Sequence, residues 1–219
     1  MTPLALVEQI SSLGFPHAFN PYVDRCYIHD RHDAPNRRAA VLQAVVARAS
    51  EVEIDAIWIG RDLGYRGGRR TGLALTDDVH IETHLARWGI SSERPTHGIP
   101  VVERTAAVVW RMLNRIELGV FLWNVFPLHP HEPDDPFTNR LHTAAERRAG
   151  EEVLAQLISL LRPKRIIAVG NNAAAAASRL GGLRPIMTVR HPSYGGQSQF
   201  VEQVASLYGL KEDVPPQLL

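Results

Sequence analysis

Cysteine is almost missing from this chain: Cys26 stands alone among 219 residues. An internal disulfide is therefore excluded. So are an iron–sulfur cluster and a multi-cysteine zinc site, each of which needs several thiolates. The same count excludes the zinc nucleobase deaminases, whose metal is held by a paired-cysteine motif. It suits a reducing cytoplasm, where the chain is expected to work. Long apolar runs are also missing, and none approaches the roughly 18 residues of a membrane helix. The start, Met1-Thr2-Pro3-Leu4, lacks the basic and apolar regions of a signal peptide. Charge of one sign is absent too, since the net charge is only +1. Lysine is nearly absent: Lys164 and Lys211 leave 22 arginines among the 24 basic residues. Arginine offers a planar fork suited to phosphate, but a GC-rich coding sequence produces the same excess, so position must decide its meaning.

Hydrophobic residues at 45% and charged residues at 21% match an ordinary globular domain. This excludes disorder, collagen-like repeats and coiled coils. A chain of this length buries roughly 70% of its extended surface, so one domain over 1–219 needs no covalent or metal staple. No internal repeat or low-complexity linker interrupts it.

Apolar, β-branched runs alternate with amphipathic stretches, which predicts an α/β fold with a mainly parallel sheet. Four strands are expected: Ala56–Ile59, Val120–Trp123, Arg165–Val169 and Pro185–Val189. Helices are expected over Arg37–Val52, from Asp77-Asp78 to Trp88, and over Thr105–Glu117, Thr143–Leu161, Asn171–Leu180 and Gln199–Leu210. Thr143 and Glu146 have capping-box spacing, and Gly181-Gly182 suits a helix stop. The unusual residues gather just after strands, where open α/β sheets bind ligands.

The stretch from Gly60 to Thr76 carries five glycines with Arg61, Arg66, Arg69 and Arg70 among them. Glycines let a backbone approach a ligand, and arginines supply phosphate contacts. No Gly-Lys-Ser/Thr follows, so it is not a P-loop, and the dinucleotide fingerprint is absent. Asp62, two residues past a strand, either orients water and stabilises a cation or caps a turn. Asn124 ends an apolar strand and offers a donor beside an acceptor, matching a nucleobase edge, or it braces a loop. His191, stiffened by Pro192, could donate to an oxygen that becomes anionic, or it is a satisfied loop histidine. His129, His131, Glu132, Asp134 and Asp135 have the composition of a metal site, but two histidines at i, i+2 in a proline-rich loop are a weak pattern.

Together these residues resemble the uracil-DNA glycosylase superfamily. Its family-1 members read Gly-Gln-Asp-Pro-Tyr-His-Gly and then Gly-Leu-Ala-Phe. Here Gly60-Arg61-Asp62-Leu63-Gly64-Tyr65 leads to Gly72-Leu73-Ala74-Leu75 at the same spacing. The second motif, an asparagine after a hydrophobic strand, is matched by Leu122-Trp123-Asn124, and His-Pro-Ser-Pro-Leu by His191-Pro192-Ser193-Tyr194-Gly195. The resemblance implies a three-layer αβα fold around a four-stranded parallel sheet. It implies a monomer that hydrolyses the N-glycosidic bond of deoxyuridine in DNA and releases free uracil, without cofactor or metal. Asp62 and His191 take the catalytic positions, and Asn124 reads the base. Gly60, Arg61, Gly64, Tyr65 and Leu75 fall around the base. Arg66, Arg69, Arg70, Arg190, Ser193, Tyr194 and Gln197 fall where DNA would run.

The sequence departs from family 1 in three places. The tyrosine that crowds the thymine methyl falls at Gly64, with Tyr65 beside it as a substitute. The stacking aromatic falls at Leu75. The leucine wedge falls at Gly195, with Tyr194 and Gln197 as replacements. The single cysteine excludes the iron–sulfur branches. Three other classes compete: a non-catalytic binder of uracil-containing or abasic DNA, a metal-dependent hydrolase using His129, His131 and Asp134, and a nucleotide-binding module.

Overall fold

The four strands that carry the motifs are apolar on both faces, so they must lie between two layers of helix. The computed structural model, which describes residues 1–180 and 182–211, shows this arrangement. In chain order the elements are α1 (Pro3–Ser11), β1 (Ala18–Phe19), α2 (Ala34–Ser50), β2 (Ala56–Asp62), α3 (Gly68–Thr71), α4 (Ile81–Ala86) and α5 (Arg104–Leu113). They continue with β3 (Val120–Phe126), β4 (His129–Pro130), α6 (Ala144–Leu161), β5 (Arg165–Val169), α7 (Asn171–Leu180), β6 (Ile186–Val189) and α8 (Gln197–Tyr208). The central sheet has the order β3-β2-β5-β6 and is parallel throughout. A small antiparallel pair, β1 with β4, lies apart from it.

Alternation along the strands splits the core in two. Ile57, Ile59, Phe121, Trp123, Ile166 and Ala168 face α1, α2, α6 and α7. Ala56, Trp58, Val120, Leu122, Ile167 and Val189 face α5 and α8. The three-layer αβα expectation is therefore met. The close approach of α6 to β3 depends on Gly150, where a Cβ would sit 2.1 Å from the Val125 carbonyl.

Several boundaries move. β2 and β3 run on to Asp62 and Phe126, so Asp62 and Asn124 lie within strands rather than after them. The predicted helix from Asp77 shrinks to Ile81–Ala86: Asp77 accepts from the Val79 and His80 amides in a cap-like manner, but residues 78–80 form a turn ahead of the helix. The capping box at Thr143 and Glu146 is present. Helix α1, short α3, β1 and β4 are additions, being too short or too weakly patterned to stand out. Gly181, expected to help end α7, lies outside the described residues; Gly182 has φ +60°, which suits its glycine.

Candidate active site

The carboxyl ends of β2, β5 and β6 open into a cleft of about 520 Å³. Its wall is completed by the 139–141 segment before α6 and by Glu103 and Thr105 at the start of α5. Arg61, Asp62, Gly64, Leu75, Arg190, His191, Ser193 and Tyr194 all line it. Three of the four loops expected to meet there do so, those after β2, β5 and β6; the loop after β3 does not line the cleft.

Asn124 is not itself among the residues lining this cleft; it lies beside Gly60 on the neighbouring strand, 1% exposed, and neither its amide nitrogen nor its carbonyl oxygen has a hydrogen-bond partner among the described residues. Leaving such a group unpaired costs about 1–3 kcal/mol, so a buried orphan amide calls for an explanation. The reason it fits is the neighbouring strand. Gly60 pairs in register with Asn124. A Cβ there would lie 2.3 Å from Asn124 Oδ1 and 3.2 Å from Leu75. Gly60 therefore clears the space that the amide occupies.

Asp62 closes β2, its side chain only 3% exposed. Arg61 Nε donates to Oδ2 at 2.5 Å, and His142 Nδ1 pairs with Oδ1. His142 was not among the sequence candidates. It directly precedes the Thr143 cap, whose partner Glu146 also takes a bidentate ion pair from Arg140. The capping-box spacing was visible, but only folding brings the residue before it onto Asp62.

His191 follows β6. The Ser193 amide donates to its Nδ1 at 3.2 Å, and Ser193 Oγ lies 2.7 Å from the same nitrogen. Nδ1 is thus an acceptor, and in the neutral ring the proton sits on Nε2. Burial first, then the Arg61 and Arg190 charges, push its pKa down to about 4. The imidazole is neutral at pH 7 and free to donate.

The matching family model is the uracil DNA glycosylase superfamily, aligned over residues 80–206. The chain belongs to this superfamily. The matched span contains Asn124 and His191 and begins after Asp62. Membership places the protein among the hydrolases that act as glycosylases on DNA. The structure of SMUG2 from Pedobacter heparinus is similar, with a TM-score of 0.64 at 13% identity over 96% of this chain and 98% of that one. This likeness supports the fold. A variant of UNG from Nitratifractor salsuginis matches at TM-score 0.43 and 15% identity, covering 94% and 96% of the two chains, too distant to argue from. No curated protein matches the sequence.

Within this superfamily member the expected phosphate contacts divide. Arg66 and Arg190 are exposed, as are Tyr194 and Gln197. Tyr194 stands 97% exposed at the cleft mouth with φ +51°, an unusual backbone for a bulky residue. Arg69 and Arg70 are corrections. Both are buried, so neither reaches solvent to meet phosphate. Arg69 is sandwiched between the Phe19 and Phe137 rings, 4.1 and 4.9 Å from their centroids. Arg70 pairs with Asp78 at 2.7 Å. A polar-looking glycine–arginine run had in fact folded partly inward. Tyr65 is also displaced: its hydroxyl accepts from Arg66 and it does not line the cleft. The histidine pair of the competing metal reading is engaged by backbone, His129 with the Thr138 carbonyl and His131 with that of Glu132. No group of three or more metal ligands gathers among the described residues.

Proposed function

We propose that this protein hydrolyses the N-glycosidic bond of deoxyuridine in DNA, releasing free uracil and leaving an abasic site. The unpartnered Asn124 amide carries the reading. A flipped uracil offers an N3–H donor beside the O4 acceptor, the complement of an amide's acceptor and donor. Cytosine offers the reversed pattern, and one such bidentate pair is worth about 1–3 kcal/mol of discrimination.

The flanking groups fit the charges of bond cleavage. As the bond opens, the sugar becomes cationic and the base anionic. Asp62, held as a buried carboxylate partner of Arg61 and His142, faces the cation and positions the attacking water. His191, neutral with its proton on Nε2, donates to the carbonyl oxygen gaining charge. Ser193 holds that ring in orientation. Tyr194 at the mouth is placed to enter the stack left by the flipped base, and Gln197 at the start of α8 supports that loop's approach to DNA. Arg66 and Arg190 meet backbone phosphates. In this reading the protein acts as a cytoplasmic monomer.

Uracil release from a labelled oligonucleotide tests the proposal. Asp62→Asn and His191→Ala each reduce single-turnover release by about 10²-fold or more, in line with general acid–base and oxyanion effects. Release at the wild-type rate by both variants rejects these roles. Retained binding with no release by the wild type would leave the non-catalytic reading.

A further inference from the structure

Uracil and thymine present the same N3–H and O4 edge, so Asn124 cannot separate them. They differ by a methyl on C5, next to the carbonyl that Asn124 reads. Another wall of the cleft must close that side. Gly64 and Gly67 have no side chain to do so, and Glu103 fills the space before both. A Cβ built on Gly64 would lie 2.8 Å from Glu103 Oε1, and one on Gly67 would lie 2.0 Å from Oε2. The carboxyl is thus seated in the room that the two missing side chains leave. It lines the same cleft as Asp62, Leu75 and His191.

The residue is held from behind. Its amide donates to Asp77 Oδ2 at 2.6 Å, and Asp77 is itself fixed by the His80 ring at 2.6 Å. The side chain does not cap α5, although Glu103 stands at its N-cap. Burial, with the Asp77 charge adding to it, pushes the carboxyl pKa up to about 7. A polar group has therefore been kept in the wall at a cost in desolvation, without a structural partner among the described residues that explains it.

We propose that Glu103 is the specificity-determining residue that excludes a methyl-bearing base, closing from α5 the side that Gly64 and Gly67 leave open. The inference rests on the proposed function. A methyl pressed on this carboxyl meets an oxygen that cannot retreat, because the glycine turn lies directly behind it. It also removes hydration from the carboxyl and returns no hydrogen bond. An unmethylated base makes neither demand.

The test uses the full-length protein with Glu103→Ala, Glu103→Gln and Glu103→Asp. Single-turnover release is measured from matched uracil and thymine oligonucleotides. Dissociation constants are measured for the same pair carrying 2′-fluoroarabino sugars, which resist cleavage. The wild type favours uracil in both. Glu103→Ala raises the thymine-to-uracil ratio about tenfold or more, the lower end of what one methyl is worth in a pocket. Glu103→Gln, of equal size, keeps the wild-type ratio. Glu103→Asp, one methylene shorter, moves it in the direction of alanine and replaces that variant should it fail to fold. An unchanged ratio in the shortened variants overturns the assignment, as does a wild type with no preference in either assay. Absence of uracil release by the wild type would defeat the proposed function alone, because the binding ratios still report on Glu103.

Discussion

Replacing His142 with alanine isolates the one catalytic neighbour that no sequence motif revealed. The side chains of His142 and Asp62 are 6% and 3% exposed, so water neither screens their hydrogen bond nor replaces it. A hydrogen bond to a buried charged group contributes about 1.5–3 kcal/mol. If that energy holds the carboxylate in its productive orientation, its loss lowers kcat/KM by about 10–150-fold at 1.36 kcal/mol per decade. Arg61 still grips Oδ2, so the variant should not fall to the level of Asp62→Asn. His142→Asn places an amide nitrogen near the lost Nδ1 and recovers part of the rate. Because His142 acts through Asp62, adding His142→Ala to Asp62→Asn costs little further activity. Single-turnover uracil release, with circular dichroism to confirm folding, reads the four variants beside the wild type. A well-folded His142→Ala enzyme with wild-type kcat/KM refutes the reasoning. So does a second loss of equal size in the Asp62→Asn background.

Two further expectations concern charge. Arg66→Ala and Arg190→Ala each lower the slope of log Kd against log salt by about 1 for duplex DNA, as loss of a phosphate contact requires; Arg69→Ala and Arg70→Ala leave the slope alone and instead lower Tm. Burial holds His84 and His129 at pKa values of about 3 and His191 at about 4. The unfolded chain takes up protons on these rings below about pH 6.5 while the folded one does not, so this stability is complete above that pH and is lost as pH falls toward 3–4. Glu103 contributes the opposite slope between pH 4.5 and 7, so the comparison is best made with His84→Gln, whose Tm falls less than that of the wild type between pH 6.5 and 4.5.

The strands were legible because a buried parallel strand must be apolar on both faces, and each stands out as a short β-branched run. The α6 start was legible because a capping box is a local exchange between residues three apart. The alignment of Asp62, Asn124 and His191 with three motifs in order was also legible, since each stands at the end of such a run. Burial of the arginines was not. Arg66 and Arg69 stand three residues apart in one polar segment, yet one reaches solvent and the other lies between Phe19 and Phe137, rings 50 and 68 residues away from Arg69 in sequence. His142 and Glu103 were equally invisible. Each acquires its meaning by a contact that no spacing encodes, His142 with Asp62 at the end of β2 and Glu103 with the glycine turn that follows it. By itself the sequence determined the layers, the sheet's strands and the order of the motifs, because these depend on local hydrophobic pattern. Only the tertiary structure decided which charged groups face the cleft, because that depends on which distant side chain fills the room a glycine leaves.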